Sequence, residues 1–316
     1  MIASLALAAW ALPAVAQEGA ARFDTFQQRD AVPATVKQIA PDLYFFYDDL
    51  GSNSAWLVTD DGVFVIDTRQ HPALARDLIE RIRKTTDKPI KWVLNTHAHG
   101  DHFLGNPEFK KLGATIITHR DTRAGMITNG ELELRRRQSF FRSMNFDPKE
   151  AVIVLPEVTF DSRMVLRIGG RTADMFYLGP GQNPGDTFVH FPHARTLFIG
   201  GPFARKNWSN MSFTPSVDGW IALLRQLAGH DVDLFLPGHG ELGNRQDLLD
   251  EAKWLADFQA GVRGAMAQGM SKEDMVQKLH FREYQHLRNY PLIHGFIEAL
   301  HHLYTTGKPL IAMPPQ

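Results

Sequence analysis

The 316-residue chain contains no cysteine, so neither a disulfide nor a thiolate metal ligand is open to it. Its stability must come from the core. It also has no excess of charge: 34 Lys and Arg face 35 Asp and Glu, a formal net charge of -1. A nucleic-acid partner or an anionic membrane surface calls for a basic excess, so neither is expected. No internal repeat, low-complexity tract or linker breaks the chain, and past the first residues no stretch is long and apolar enough to span a bilayer. What remains is a globular composition, 44% hydrophobic and 22% charged, suited to one large α/β domain.

The opening residues are of another kind. Ile2 to Val15 is apolar throughout and ends in Ala14-Val15-Ala16 before Gln17. An apolar run shorter than a bilayer span, closed by an A-x-A pattern, reads as a secretory signal peptide. Residues 1–16 are therefore expected to be removed and the mature protein to be periplasmic or secreted. An uncleaved anchor is the alternative, since no Lys or Arg precedes the run. Residues 17–38 are polar for the most part and read as an N-terminal arm.

The richest stretch is Asn95-Thr96-His97-Ala98-His99-Gly100-Asp101-His102. It follows Ile90-Lys91-Trp92-Val93-Leu94, a short apolar run with the character of a buried strand. A rigid strand can aim the loop that leaves its C-terminal end. Imidazole and carboxylate are common zinc ligands, and the spacing can serve two neighbouring ions, His97 and His99 turned to one, Asp101 and His102 to the other.

Around this stretch the pattern alternates between strand and helix. Strands are expected at 43–47, 54–59 and 63–67, a meander with a turn at Asp60-Asp61-Gly62, then at 90–94, 114–118, 158–166, 172–177, 188–191, 196–199 and 233–237. Helices are expected at 72–84, 121–146, 219–228, 248–265 and 289–306. Within 121–146, the run Glu131-Leu132-Glu133-Leu134-Arg135-Arg136-Arg137 reads as a solvated helix face, with a substrate-facing insertion as the other option.

The His-x-His-x-Asp-His motif is the signature of the metallo-β-lactamase superfamily, which this chain resembles from roughly Ile39 to Gly240. The resemblance implies an α/β (α+β) fold, a four-layer αββα sandwich with a metal site at its rim. Residues 39–245 would form that domain and 246–316 a helical C-terminal extension packed on it. His239, in Pro237-Gly238-His239, matches a further ligand. The family's Gly-Pro-Gly-His turn is present as Gly179-Pro180-Gly181-Gln182, with Gln182 at the histidine's place. Gly201 stands where many family hydrolases carry an aspartate that bridges both metals. The implied ligands are thus His97, His99 and Gln182 for one ion and Asp101, His102 and His239 for the other, with zinc at one or both. The amide oxygen of Gln182 is a weaker ligand than imidazole; His190 or His193 could replace it only by bending a strand. Asp67, at a strand end, either buttresses the metal loop, as in the family, or merely ends its strand.

The chemistry implied is metal-assisted hydrolysis. Bound zinc lowers the pKa of its water from about 15.7 towards about 7, and the hydroxide attacks the carbonyl of a cyclic amide or ester, with Asp101 orienting the attacker. A β-lactam is the leading substrate, because the lineage of β-lactamases with an Asp-His-His site also lacks the bridging carboxylate. A lactone, an ester or another periplasmic metabolite is the alternative, as is a catalytically weak metal-binding relative. Arg205 and Asn210 are candidate substrate contacts, Arg205 as a carboxylate grip or else a plain surface cation. The expected partner is a small molecule.

Overall fold

The structure, a computed structural model, describes residues 32–208 and 210–311. The expected signal peptide and most of the expected arm lie outside them. Strands β1 (Thr35–Ala40), β2 (Leu43–Tyr47), β3 (Ser54–Thr59), β4 (Gly62–Ile66), β5 (Ile90–Asn95), β6 (Thr115–His119) and β7 (Val158–Phe160) make a seven-stranded sheet in chain order. Strands β2, β3 and β4 form the expected antiparallel meander, and β1, not expected as a strand, pairs antiparallel to its edge. From β4 onward the neighbours are parallel, which requires crossover connections. The second sheet has the order β12-β11-β10-β9-β8, from β8 (Arg163–Ile168), β9 (Arg171–Phe176), β10 (Phe188–Phe191), β11 (Thr196–Ala204) and β12 (Leu234–His239). Only β11 and β12 run parallel in it.

The layers follow from which face each side chain takes. Along β2 and β4, Leu43, Phe45, Phe64 and Ile66 meet Met175, Val189, Phe198 and Leu236 of the second sheet. The intervening Phe46, Val63 and Val65 point the other way, onto Ala75, Leu78 and Ile82 of α1 (Pro72–Arg83). Alternate residues of one strand thus feed two cores, and β4 reads as an unbroken apolar run because both its faces are covered. The far side of the second sheet buries Leu197, Ile199 and Phe235 under α6 (Val217–Ala228), α7 (Arg245–Ala267) and α9 (Ile293–Thr306). The result is the expected helix–sheet–sheet–helix sandwich with a helical extension.

The helices have local causes. His71 caps α1 by accepting from Ala73 N, with Pro72 at the first helical position. Asn244 and Asp247 form a reciprocal capping box on α7, so that helix starts ahead of the expected Leu248. Pro291 lies in a 3-10 turn, Tyr290–Leu292, and α9 begins only at Ile293 rather than 289. The region expected as one helix over 121–146 divides into α4 (Arg120–Arg136) and α5 (Gln138–Ser143). Strand β1 starts at Thr35, inside the segment read as an arm. On the edge of the sheet, its apolar Val36, Ile39 and Ala40 do not alternate with its polar residues and Val36 is exposed, so no alternation betrays it.

Candidate metal centre

Between β5 and the short helix α2 (Gly100–Phe103) the histidine-rich loop folds back on itself: Asn95 Nδ2 donates to His102 O (3.1 Å) and to Asn106 Oδ1 (3.0 Å). Asp67 follows β4 with a left-handed φ of 59° and is fully buried. Its Oδ1 accepts from Thr96 N (2.8 Å), and its Oδ2 from Thr96 Oγ1 (2.8 Å) and His102 Nδ1 (2.6 Å). Asp67 therefore buttresses the loop.

These bonds set the imidazole tautomers. The Thr96 hydroxyl gives its proton to Asp67, so at 3.0 Å it can only accept from His97 Nδ1. His99 Nε2 donates to the carbonyl of Ser212 (3.2 Å). What remains, His97 Nε2 and His99 Nδ1, stand 3.1 Å apart with their lone pairs towards each other. Two acceptors face to face in a buried site repel, and a cation between them relieves that. The outer bonds act as the supporting shell that fixes ring orientation at metal sites.

The second set assembles across the chain. β11 and β12 run parallel, and β12 ends at His239. Asn53 ties that end to the first sheet: its N donates to Gly238 O (2.7 Å) and its Nδ2 to Pro237 O (2.9 Å) and Gly240 O (2.8 Å). Its neighbour Ser52 donates to the carbonyl of Asp101 (2.6 Å). In consequence His239 Nε2 lies 3.2 Å from Asp101 Oδ2 and 3.4 Å from His102 Nε2. Asp101, His102 and His239 offer three ligand atoms within 4.8 Å of one another, a set of the size that catalytic zinc uses. Asp101, His102 and His239 are the three residues that the sequence reading assigned to one ion.

Gln182 reaches the first set. Its Nε2 donates to Asn210 O (2.8 Å), which turns Oε1 inward. A Cβ built on Gly201 would overlap that Oε1 and lie 2.7 Å from His97 Nε2. Glycine is required there because the amide and the imidazole crowd the same space. The turn carrying Gln182 is held by Asp186, whose buried Oδ2 accepts from Asn183 N (2.8 Å). His193 is bound to Asp42 (3.0 Å) and His190 lies in the ladder opposite Asp174; Gln182, not either of them, stands beside His97.

Burial dominates the electrostatics. It pushes His97 well below the usual imidazole value and His99 down to about 4, which keeps both neutral as ligands must be. Burial opposes the ionisation of Asp101, yet the charges of His102 and Arg137 and the hydrogen bond from His239 hold its carboxyl well below the ordinary range. For His102, burial is outweighed by Asp67 and Asp101, and its value rises. Burial raises Asp186 to about 8.

Three expectations fare differently. The guanidinium of Arg205 is engaged by Asp247 (3.2 Å) and Glu241 (3.3 Å), and Asn210 caps its own turn, its Oδ1 accepting from Ser212 N (2.8 Å). The structure brings neither side chain into the donor set. The run ending in Arg137 is solvated only at Glu131 and Arg135; Glu133 is buried and Arg137 reaches Asp101. Charge on a helix usually means solvent, so nothing in the sequence marked this pair.

The model of the metallo-β-lactamase superfamily matches residues 47–239. The chain belongs to the metallo-β-lactamase superfamily. Within it, the chain is 23% identical over 284 residues to a linear primary-alkylsulfatase of Pseudomonas sp. (strain ATCC 19151), a match covering 78% of this chain and 52% of the relative. It is 27% identical over 212 residues to a metallo-beta-lactamase type 2 of Bacillus cereus, covering 65% and 73%. Its fold is similar to that of the stereoselective inverting sec-alkylsulfatase Pisa1 from Pseudomonas sp., with a TM-score of 0.67 at 16% identity, over 86% of this chain and 50% of the other. The chain spans about half the length of the alkylsulfatases it matches.

Proposed function

We propose that the protein is an exported zinc-dependent hydrolase of small molecules, which hydrolyses a cyclic amide or an ester. The observation that carries this reading is the convergence of two donor sets, His97, His99 and the oxygen of Gln182 beside Asp101, His102 and His239, with the tautomers of His97, His99 and His102 set by their outer bonds. Zinc held there would supply a Lewis acid and lower the pKa of a coordinated water towards about 7. The chain's own residues do the rest. Asp101, whose Oδ2 is turned to His102 and His239, would help hold the ion and orient that water. Phe213 packs over His99, with ring centroids 5.6 Å apart, and the Ser212 carbonyl caps the same ring. These two residues cover His99, and His97 is buried beneath it, whereas Asp101 and His239 keep 14% and 34% of their side-chain surface exposed. Substrate therefore approaches along the Asp101–His239 edge.

A β-lactam remains the leading amide. The ester reading gains from two observations: Arg205, the candidate grip for a lactam carboxylate, is committed to Asp247 and Glu241, and the alkylsulfatase similarity runs further along the chain than the β-lactamase one. The test is metal analysis of the full chain after zinc reconstitution, coupled to turnover of a chromogenic cephalosporin, 4-nitrophenyl sulfate, and a panel of carboxylic esters and lactones. Zinc content of one to two per chain with turnover in one arm supports the reading and names the substrate class. An empty protein would instead favour the catalytically weak relative. Export is tested by N-terminal sequencing of protein recovered from the periplasm, where a start at Gln17 is expected.

A further inference from the structure

The last turn of α4 and the residue that follows it carry charges that the hydrolytic reading leaves unused. Arg137 Nη2 lies 2.6 Å from Asp101 Oδ1, and its Nη1 2.6 Å from Glu133 Oε2. The same Glu133 oxygen accepts the backbone N–H of Gly100 (2.6 Å), in the metal loop itself, while Oε1 takes Arg136 (2.8 Å). Glu133 is 1% exposed and Arg137 14%. Burying such a pair costs more desolvation than it returns in stability as a rule, and apolar replacements are often neutral. A stability role therefore accounts poorly for its presence.

Its geometry accounts for it better. The carboxylate of Asp101 has two oxygens, and Arg137 Nη2 occupies Oδ1, leaving Oδ2 facing His102 Nε2 (3.5 Å) and His239 Nε2 (3.2 Å). Gly100 is shaped for this: a Cβ there would stand 2.9 Å from Arg137 Nη1. With Nη1 held by Glu133 and Nη2 by Asp101, the rigid guanidinium plane fixes where its one bond to Asp101 points, which a lysine point charge cannot.

We propose that Arg137, seated by Glu133, is a positioning residue that makes Asp101 a one-oxygen ligand for the ion shared with His102 and His239. The inference rests on the metal centre proposed above. It is tested by titrating the metal-free full chain with Zn2+ and Co2+ in a His97→Ala background, which isolates the Asp101–His102–His239 set. Arg137→Met should weaken metal binding about 10- to 100-fold, the range for lost supporting contacts at metal sites. Arg137→Lys should recover part of the loss, and the Co2+ absorption spectrum should change with the carboxylate's altered binding. Thermal melts of the metal-free variants report whether they are folded; where Arg137→Met is not, Glu133→Gln, which frees the fork's far end, should still weaken binding several-fold. Affinity within twofold of the background in a folded variant overturns the inference. A background protein with Arg137 intact that binds neither metal overturns the proposed centre instead.

Discussion

At the scale of single residues, the centre turns on which nitrogen or oxygen is left free. His239 comes from the end of β12 in the second sheet and completes the candidate three-atom set with Asp101 and His102. His239→Ala is expected to lower hydrolysis by about 100-fold or more, beyond what loss of a mere supporting contact costs, and to remove one zinc per chain in metal analysis. Gln182 gives the opposite test. Replacing a neutral amide oxygen by imidazole strengthens a zinc site, so Gln182→His should raise zinc content towards two and tighten the weaker ion in a chelator competition. The buried histidines also make an acid-side prediction for the metal-free protein. His99 has a folded value near 4 against about 6.5 when unfolded. Its stabilising contribution is present above 6.5 and lost as pH falls towards 4, at a slope of up to about 1.4 kcal/mol per pH unit; His97 acts in the same direction. Asp186, raised to about 8, has the opposite sign: its contribution is present below the unfolded carboxylate value and lost as pH rises through 8. Between pH 4 and 6.5 the two oppose each other, so the fall of stability with acid, read from denaturant melts, should be steeper in Asp186→Asn; a variant whose stability did not fall with acid would contradict the neutral-histidine assignment.

At the scale of elements, strands deliver the ligands and loops fix their aim. Gly201 lies in β11, beside the irregular pairing to β12 that puts Gly200 opposite Pro237, and its missing side chain makes room for Gln182 and His97. Gly201→Ala should push Gln182 aside and weaken the His97–His99–Gln182 ion, with the Asp101 set unaffected. Isothermal titration that resolves two binding events checks this, and two unchanged events would remove the steric account. The same contrast governs what was legible in the chain. Ile90–Leu94 and Leu43–Tyr47 announced themselves as short runs of bulky apolar side chains, mostly buried, with Lys91 alone charged and exposed. His97, His99, Asp101, His102 and His239 were legible because their spacing matches a family motif. Edge strand β1 carries no such periodicity, and Arg137 reached the site only through the pitch of α4, which sets Glu133 and Arg137 one turn apart on a face that charge alone makes look solvated. The cover formed by Ser212 and Phe213, the latter at a left-handed φ of 67°, is likewise tertiary. No local pattern predicts which carbonyl will meet His99.

At the scale of the whole molecule, the helical extension and the metal centre share one core. Trp208 follows β11 and the Arg205 turn, is 2% exposed, and is surrounded by Trp254 and Phe258 of α7, Phe296 of α9 and Tyr284. Its backbone N donates to Arg288 O (2.8 Å) and its Nε1 to Tyr284 O (3.3 Å). The segment that leaves the second sheet for Asn210 and Phe213 is thus anchored by residues from the last third of the chain, and Asn210 and Phe213 in turn seat Gln182 and cover His99. Trp208→Ala should then do two things at once. Loss of a buried indole costs about 3–5 kcal/mol, lowering the melting midpoint. The first donor set should loosen as well, because its cover loses its anchor. Trp208→Phe keeps most of the apolar contact while giving up the indole bond, and should restore both properties in large part. The measurement is a thermal melt beside zinc affinity on the same three proteins. If affinity held constant while stability fell, the extension would be a scaffold for the second sheet alone, and the route from α7 and α9 to Gln182 would carry nothing.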